Sequence, residues 1–450
     1  MAAPRGEFSS KLGFIMAAAG SAVGLGNIWG FPKEVASNGG AAFLVIYLAM
    51  AFLIAYPALM AELIIGRHAK ANPVEALKKI GNSDTSRTVG VVTGFAGIAT
   101  ACLILSFYSI IAGWMASNTL ASLSSMAGMN DIAAWFSTDS INRSLIFTAV
   151  FMALTIAIIT GGVKDGIEKW CSRLMPSLLV ILALLIVYVM TLDGAIDGVK
   201  AYLLPDFSRV ASPDLYISAM GQAFFSLSLG VGTMLIYGSY VPDEGNLVSL
   251  GRSVTIVDIS IAFIAGLLII PAMYVALTNG VQIYDANGAL LAEDSLIFVV
   301  LPELFASMGG AGTFASLAFF ILMSLAALTS TISILEVPVA YTTENHKVGR
   351  KPATVIIGVA IFLVAVVLIY NFEALFGLIV SVATQYGEPL VGLMMCIFAG
   401  WIFHRNTLLK EIQKGHDGAE HGLFWKIWPN YVRFVCPAAI LIIFARKFFA

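Results

Sequence analysis

The chain has 450 residues, 59% of them hydrophobic and only 12% charged, with a formal net charge of -2. Soluble globular chains carry about 25% charged residues, so this one cannot cover a water-facing surface of ordinary size. That excludes a soluble enzyme, and the near-neutral charge excludes a nucleic-acid binder. The expected environment is a lipid bilayer.

A membrane helix needs about 20 mostly apolar residues. Charge-free runs of that length fall at 12–32, 41–61, 144–163, 174–192, 215–242, 259–284, 304–335 and 352–372. The run 88–130 is too long for one helix, so a span near 90–117 followed by an outer loop is expected. Residues 375–404 carry one charge before His404, at Glu388, and the last segment, 430–447, is interrupted by Arg433. Eleven spans result, and none alternates with the period of two that a β-barrel strand requires. The expected organisation is an N-terminal segment 1–11, spans one to five over 12–192, and an extracellular loop 193–212. Spans six to ten then occupy 213–404, a cytoplasmic loop 405–429 and span eleven 430–450.

Lysine and arginine collect in cytoplasmic loops. With the N-terminus inside, 19 of the 25 basic residues fall on the cytoplasmic side, which places the C-terminus of an eleven-span chain outside. The first apolar stretch has no A-x-A-like site after a short core, so it reads as a retained span rather than a signal peptide. Cys102, Cys171, Cys396 and Cys436 stand singly and read as small packing residues. His416 and His421 in HDGAEH read as a solvated loop rather than a metal site.

Two spans carry glycine where a plain anchor would carry leucine. The first reads AAAGSAVGLGNIWGFP and the sixth GQAFFSLSLGVGTMLIYGSY, placing Gly24-Leu25-Gly26 and Gly230-Val231-Gly232 near mid-membrane. In either segment alone, close helix packing explains such glycines. At matched places in two sets of five spans, they point to broken helices around a midplane site. Freed N–H groups there favour a carboxylate and freed carbonyls a cation. Carboxylates inside spans, at Glu62, Asp258, Glu336 and Glu388, mark functional or pathway positions. Ala326, Thr329 and Ser330 share one helix face and could supply oxygen ligands to an ion; the alternative is back-bonding to their own helix.

These residues carry a resemblance. AAGSAVGLGNIWGFP followed by SNGGAAF closely resembles the opening of the neurotransmitter:sodium symporter family, including its bacterial leucine-transporter-type members. The likeness continues at Tyr108 in SFYSIIAGW, at QAFFSLSLGVG and at LAALTSTISILEVP, and so covers essentially the whole chain. It implies an all-α membrane protein with a 5+5 inverted repeat, helices one and six broken, and eleven spans as in the bacterial branch. The implied activity is sodium-coupled amino-acid import by alternating access across a bacterial inner membrane, with no catalytic residue and sodium as the only bound ion.

Carried over onto this sequence, the substrate carboxylate would meet the N–H groups of Leu25 and Gly26 and the Tyr108 hydroxyl. The amino group would meet carbonyls around Ala22, Phe225 and Ser228. The side chain would lie among Val23, Ile104, Tyr108, Phe225, Ser228, Val231, Ser330 and Ile334. One sodium would use Ala22, Asn27, Ser226, Asp258 and the substrate carboxylate itself, with Tyr47 nearby. A second would use Gly20, Val23, Ala326, Thr329 and Ser330. A fixed carboxylate at Asp258 implies chloride independence. The cytoplasmic gate would be Arg5 with Glu344, braced by Ser239 and Tyr240. Gly166 and Pro176 would mark a hinge in span five, the alternative being an ordinary helix start with Pro176 in its first turns.

Two departures stand out. Gly30 occupies the place of the family's outer-gate arginine, so that gate is expected to be missing, or rebuilt around Lys33 or Glu388. Val231 replaces a bulky aromatic residue, so larger apolar or aromatic side chains should fit and be favoured by burial.

Overall fold

The computed structural model describes residues 6–204, 210–283 and 300–449, and every regular element among them is a helix. The expected gate residue Arg5 lies outside the described residues. Eight helices are long and apolar enough to cross a membrane, and the bent pair Lys11–Ala22 and Gly26–Ser37 makes a ninth candidate span.

The expectation for the third span needs correction. Instead of a span near 90–117 and a loop, one helix of 43 residues runs over Asp84–Met126. Its start is fixed by Ser83, whose hydroxyl accepts from the Ser86 N–H while Ser86 returns a bond to the Ser83 N–H. No proline interrupts the run, so nothing stops the helix at the membrane surface. At 1.5 Å per residue it exceeds a bilayer core of about 30 Å and must project beyond it.

The expected sixth and eleventh spans are not single helices. The sixth consists of Pro213–Ser226 and Thr233–Ser239, only 14 and 7 residues long. The eleventh is assembled from Leu423–Asn430, a π-helical turn at Tyr431–Val435, and Cys436–Phe449. None of these pieces reaches the length of a span by itself. The count of eleven holds only if each set is one interrupted crossing.

The two breaks have local causes. In span one the helix stops at Val23, whose ψ of 98° is extended, and the chain resumes after a bend of 56°. In span six Ser228, Gly230 and Gly232 all have positive φ, at 51°, 78° and 85°. Two of these three positions are glycine, which adopts that region without a Cβ penalty. The inner piece of span six then packs tightly on span two: a Cβ on Gly238 would lie 2.8 Å from Leu63 Cα. Span eight (Gly309–Asn345) is braced by hydroxyl pairs, Ser122 with Ser316 at 2.9 Å and Thr155 with Thr331 at 3.0 Å. The broken segments therefore sit against long, unbroken helices that hold them in place.

Candidate functional site

At the break in span one, three side chains from three helices meet with almost no solvent access. Asn27 Nδ2 donates to Asp258 Oδ1 at 2.7 Å and to the Asp258 carbonyl at 3.2 Å. Ser226 Oγ lies 2.9 and 2.8 Å from the two carboxylate oxygens of Asp258, and Tyr47 donates to Ser226 at 3.5 Å. Asn27 and Asp258 are 0% exposed. The carboxylate is thus satisfied by neutral donors, and among the described residues no basic side chain pairs with it. A buried charge without a counter-charge is costly, so the arrangement suits a small cation more than an internal ion pair.

Directly beside it, the Leu25 N–H donates to Tyr108 Oη at 3.1 Å. Gly24 admits both Tyr108 and Ser330: a Cβ there would lie 2.6 Å from the Tyr108 hydroxyl and 2.5 Å from Ser330 Oγ. Phe225 lies over Gly26, with its ring 2.8 Å from where a Cβ would stand. Leu25, Gly26, Tyr108 and Phe225 line one cavity of about 990 Å3, which extends past Trp29, Lys33 and Phe372 to Asp139 and Arg143. Val23, Ile104, Val231, Ser330 and Ile334 are buried and line no part of it.

The second expected ion group also assembles. Gly20 faces Thr329, whose Cβ would stand 3.1 Å from a Cβ on the glycine. Thr329 Oγ1 donates to the Ala326 carbonyl at 3.0 Å and Ser330 Oγ to the same carbonyl at 3.3 Å. This is back-bonding within the helix, the alternative weighed from the sequence. A hydroxyl that donates its proton keeps lone pairs for a cation, so the geometry is compatible with both. Ser228 and Ser330 also converge on the Ser21 carbonyl, at 3.0 and 3.5 Å.

On the face opposite the cavity, the chain is closed. The Phe8 N–H donates to the Tyr240 carbonyl at 3.0 Å, and the Phe8 ring packs edge-on against Phe14 and Tyr237. Ser9 donates to Glu168 from both its N–H (2.7 Å) and its hydroxyl (2.6 Å). Tyr240 donates to Glu336 at 2.6 Å, and Arg350 holds the same carboxylate at 3.0 Å. The Ser239 hydroxyl bonds the Ile236 carbonyl instead. Glu344, expected opposite Arg5, accepts from the N–H and the side-chain amide of Asn72, both at 2.8 Å. Gly166 lies in a π-helical stretch, Val163–Glu168, and Pro176 sits inside the helix Lys169–Val189, about two turns from its start, which both the hinge and the ordinary helix start allow.

One participant carried no distinctive sequence signal. Gln222 Nε2 donates to the Gly26 carbonyl at 2.9 Å, crossing from span six to span one in the cavity wall near Gly30. Lys33 lies on the rim, 4.0 Å from Glu34, and Glu388 lies in the wall. Glu62, visible from the sequence only as a carboxylate inside a span, accepts from the Gly230 N–H at 2.7 Å and so stabilises the break in span six.

Comparison with known proteins bears on this geometry. The Sodium:neurotransmitter symporter family pattern matches residues 5–146 and 137–450. The sodium-dependent transporter YhdH of Bacillus subtilis is 34% identical over 97% of this chain and 96% of its own length. The sodium-dependent serotonin transporter of Drosophila melanogaster is 26% identical, covering 98% of this chain and 76% of its own. Among solved structures, MhsT in complex with L-phenylalanine superposes with a TM-score of 0.83 at 36% identity, covering 98% of this chain and 99% of that one. The chain is a sodium-dependent symporter of the sodium:neurotransmitter symporter family, a multi-pass membrane transporter and not an enzyme.

Proposed function

We propose that this symporter imports hydrophobic or aromatic amino acids with two sodium ions, independently of chloride, by alternating access. The observation that carries the reading is the buried Asn27–Asp258–Ser226 cluster beside the Leu25 and Tyr108 contacts at the floor of the cavity. An amino-acid carboxylate bound at Gly26 and Tyr108 would stand next to the cluster and complete the shell of a sodium held there by Ala22, Asn27, Ser226 and Asp258. Each ligand would then raise the affinity of the other by the same factor. Aromatic specificity draws support from the small Val231 at a position where a bulky aromatic residue is usual among related carriers, and from the L-phenylalanine bound to MhsT. The remaining topology follows the basic-residue count: bacterial inner membrane, N-terminus in the cytoplasm, C-terminus outside, eleven crossings. In that orientation the cavity opens outward and the Phe8–Tyr240 side is the closed cytoplasmic gate.

The test is flux into proteoliposomes under an inward sodium gradient, with choline replacing sodium and gluconate replacing chloride. Uphill accumulation of phenylalanine or leucine that needs sodium and not chloride is the expected result. Downhill leak alone would indicate a channel-like protein. Accumulation driven by a proton gradient, or of betaine in place of amino acids, would also overturn the proposal.

Tyr108→Phe removes one hydroxyl that would bond the substrate carboxylate. A hydrogen bond to a charged group contributes about 2 kcal/mol, so affinity for the amino acid should fall roughly thirtyfold. Equilibrium binding of radiolabelled substrate at saturating sodium checks this, and unchanged affinity removes Tyr108 from the site. Gln222→Ala should act differently, because Gln222 touches the span-one backbone at the cavity wall. Loss of one buried bond of about 1 kcal/mol should speed release toward the outside roughly fivefold, leaving sodium dependence intact. Stopped-flow dissociation would detect it; an unaltered release rate denies Gln222 the latch role that Gly30 leaves open.

A further inference from the structure

Arg433 interrupts the last apolar segment, and its surroundings do not neutralise it. It lies in the π-helical turn Tyr431–Val435, beside the end of span ten. A Cβ on Gly400 would stand 2.7 Å from Arg433 Cα, so the two helices meet backbone to backbone there. Trp401 Nε1 donates to the Arg433 carbonyl at 2.9 Å, fixing the ring. The guanidinium then stacks 4.0 Å from the Trp401 ring centre and 5.3 Å from that of Phe434. Both rings are on the outer surface of the bundle, 52% and 54% exposed. Nε is buried without a hydrogen-bond partner, and no carboxylate pairs with the group among the described residues.

An arginine between two lipid-facing rings cannot be left to hydrocarbon. Its long stem lets the charge reach the headgroup layer, where tryptophan also gathers. Further positive charge lies at the same end of these helices. Exposed Lys426 precedes Arg433 by two turns, and exposed Arg405, four residues after Trp401, stacks 5.5 Å from the Trp425 ring. Basic pockets between membrane helices on the cytoplasmic side suit anionic headgroups. We infer that Arg433, held by Trp401 and Phe434 at the seam of spans ten and eleven, binds the headgroup phosphate of an anionic phospholipid. The planar guanidinium offers two parallel N–H groups to phosphate oxygens while its face stays on the indole. An anionic lipid headgroup fits a stacked cation that has no carboxylate partner among the described residues and whose flanking rings are apolar and exposed.

The experiment is native mass spectrometry of the full chain in detergent, titrated with phosphatidylglycerol or with phosphatidylcholine of identical acyl chains. Wild type should retain phosphatidylglycerol preferentially. Arg433→Gln should weaken that retention roughly tenfold, the loss expected for one charge-assisted contact. Equal retention of the two lipids by wild type overturns the proposal without reference to any variant. So does phosphatidylglycerol binding by Arg433→Gln at wild-type strength, with sodium-dependent substrate binding showing that the variant is folded. Displacement of the lipid by excess inorganic phosphate would mean a free-anion site. A dimer abolished by Arg433→Gln in the absence of lipid would mean that a second copy covers this face. Either result also overturns it.

Discussion

Asp258→Asn should abolish sodium-dependent amino-acid binding while leaving the protein folded. Asparagine keeps the shape and can still bond Ser226 and Asn27, so the packing of three buried side chains survives. What disappears is the negative charge, and with it the strongest ligand in an ion shell otherwise made of carbonyls, an amide and a hydroxyl. Hard cations depend on oxygen ligands, and the anionic one is worth most where water is excluded. A loss of at least about 3 kcal/mol, roughly a hundredfold or more in sodium affinity, is the expected size. Because the substrate carboxylate would share that ion, amino-acid affinity should fall in parallel at every sodium concentration. Binding isotherms across a sodium series, with choline held as the balance, read both effects together. An unchanged sodium midpoint would remove Asp258 from the ion site and leave it as a structural partner of Ser226.

The same residues illustrate how far the chain could be read in advance. The paired glycine breaks were legible because Gly24-Leu25-Gly26 and Gly230-Val231-Gly232 are a departure from apolar monotony, and both prove to be real interruptions. Asp258 was legible because a carboxylate in a membrane span is rare; that its contacts are the neutral Asn27 and Ser226 is visible only in the fold. Gln222 was not legible. A single glutamine in an apolar helix has no local signature, and its bond to the Gly26 carbonyl exists only through the approach of two distant segments. Span three was misjudged because hydropathy sees where charges end, whereas a helix stops where its backbone is broken or capped. Spans six and eleven were found as apolar runs, yet local breaks split them into shorter pieces. In the sequence Arg433 is only a charge that interrupts the last apolar segment. Its stacking on Trp401 depends on the Gly400 contact, which composition cannot reveal.

The second large effect is expected at Arg67, far from the cavity. Its side chain is 0% exposed, at the end of span two, and donates from Nε to Glu411 Oε1 at 2.7 Å. Its other nitrogens reach the carbonyls of Gly245 and Glu411, so one guanidinium ties span two to the loop after span six and the helix Arg405–Gln413. Burial pushes the Glu411 carboxyl up, but the His68 contact, the Arg67 guanidinium and Lys414 outweigh it and hold the group down at about 2. A carboxyl depressed in the folded state favours folding above its ordinary value of about 4.5. That contribution should fade as pH falls from there toward about 2.

Arg67→Met should therefore destabilise by about 3 kcal/mol at neutral pH, because it leaves the Glu411 carboxylate with His68 and Lys414 only and the carbonyls of Gly245 and Glu411 without the arginine. It should also flatten the acid limb of the stability profile. The double variant Arg67→Met/Glu411→Leu separates the two costs. Removing the carboxylate that has lost its arginine should restore part of the stability, while the carbonyls of Gly245 and Glu411 stay without that donor and keep the double variant below wild type. Thermal unfolding in detergent between pH 3 and 8 measures all three proteins. If the double variant is no more stable than Arg67→Met, the carboxylate was never the source of the loss. The clamp would then be the arginine's hold on the backbone alone.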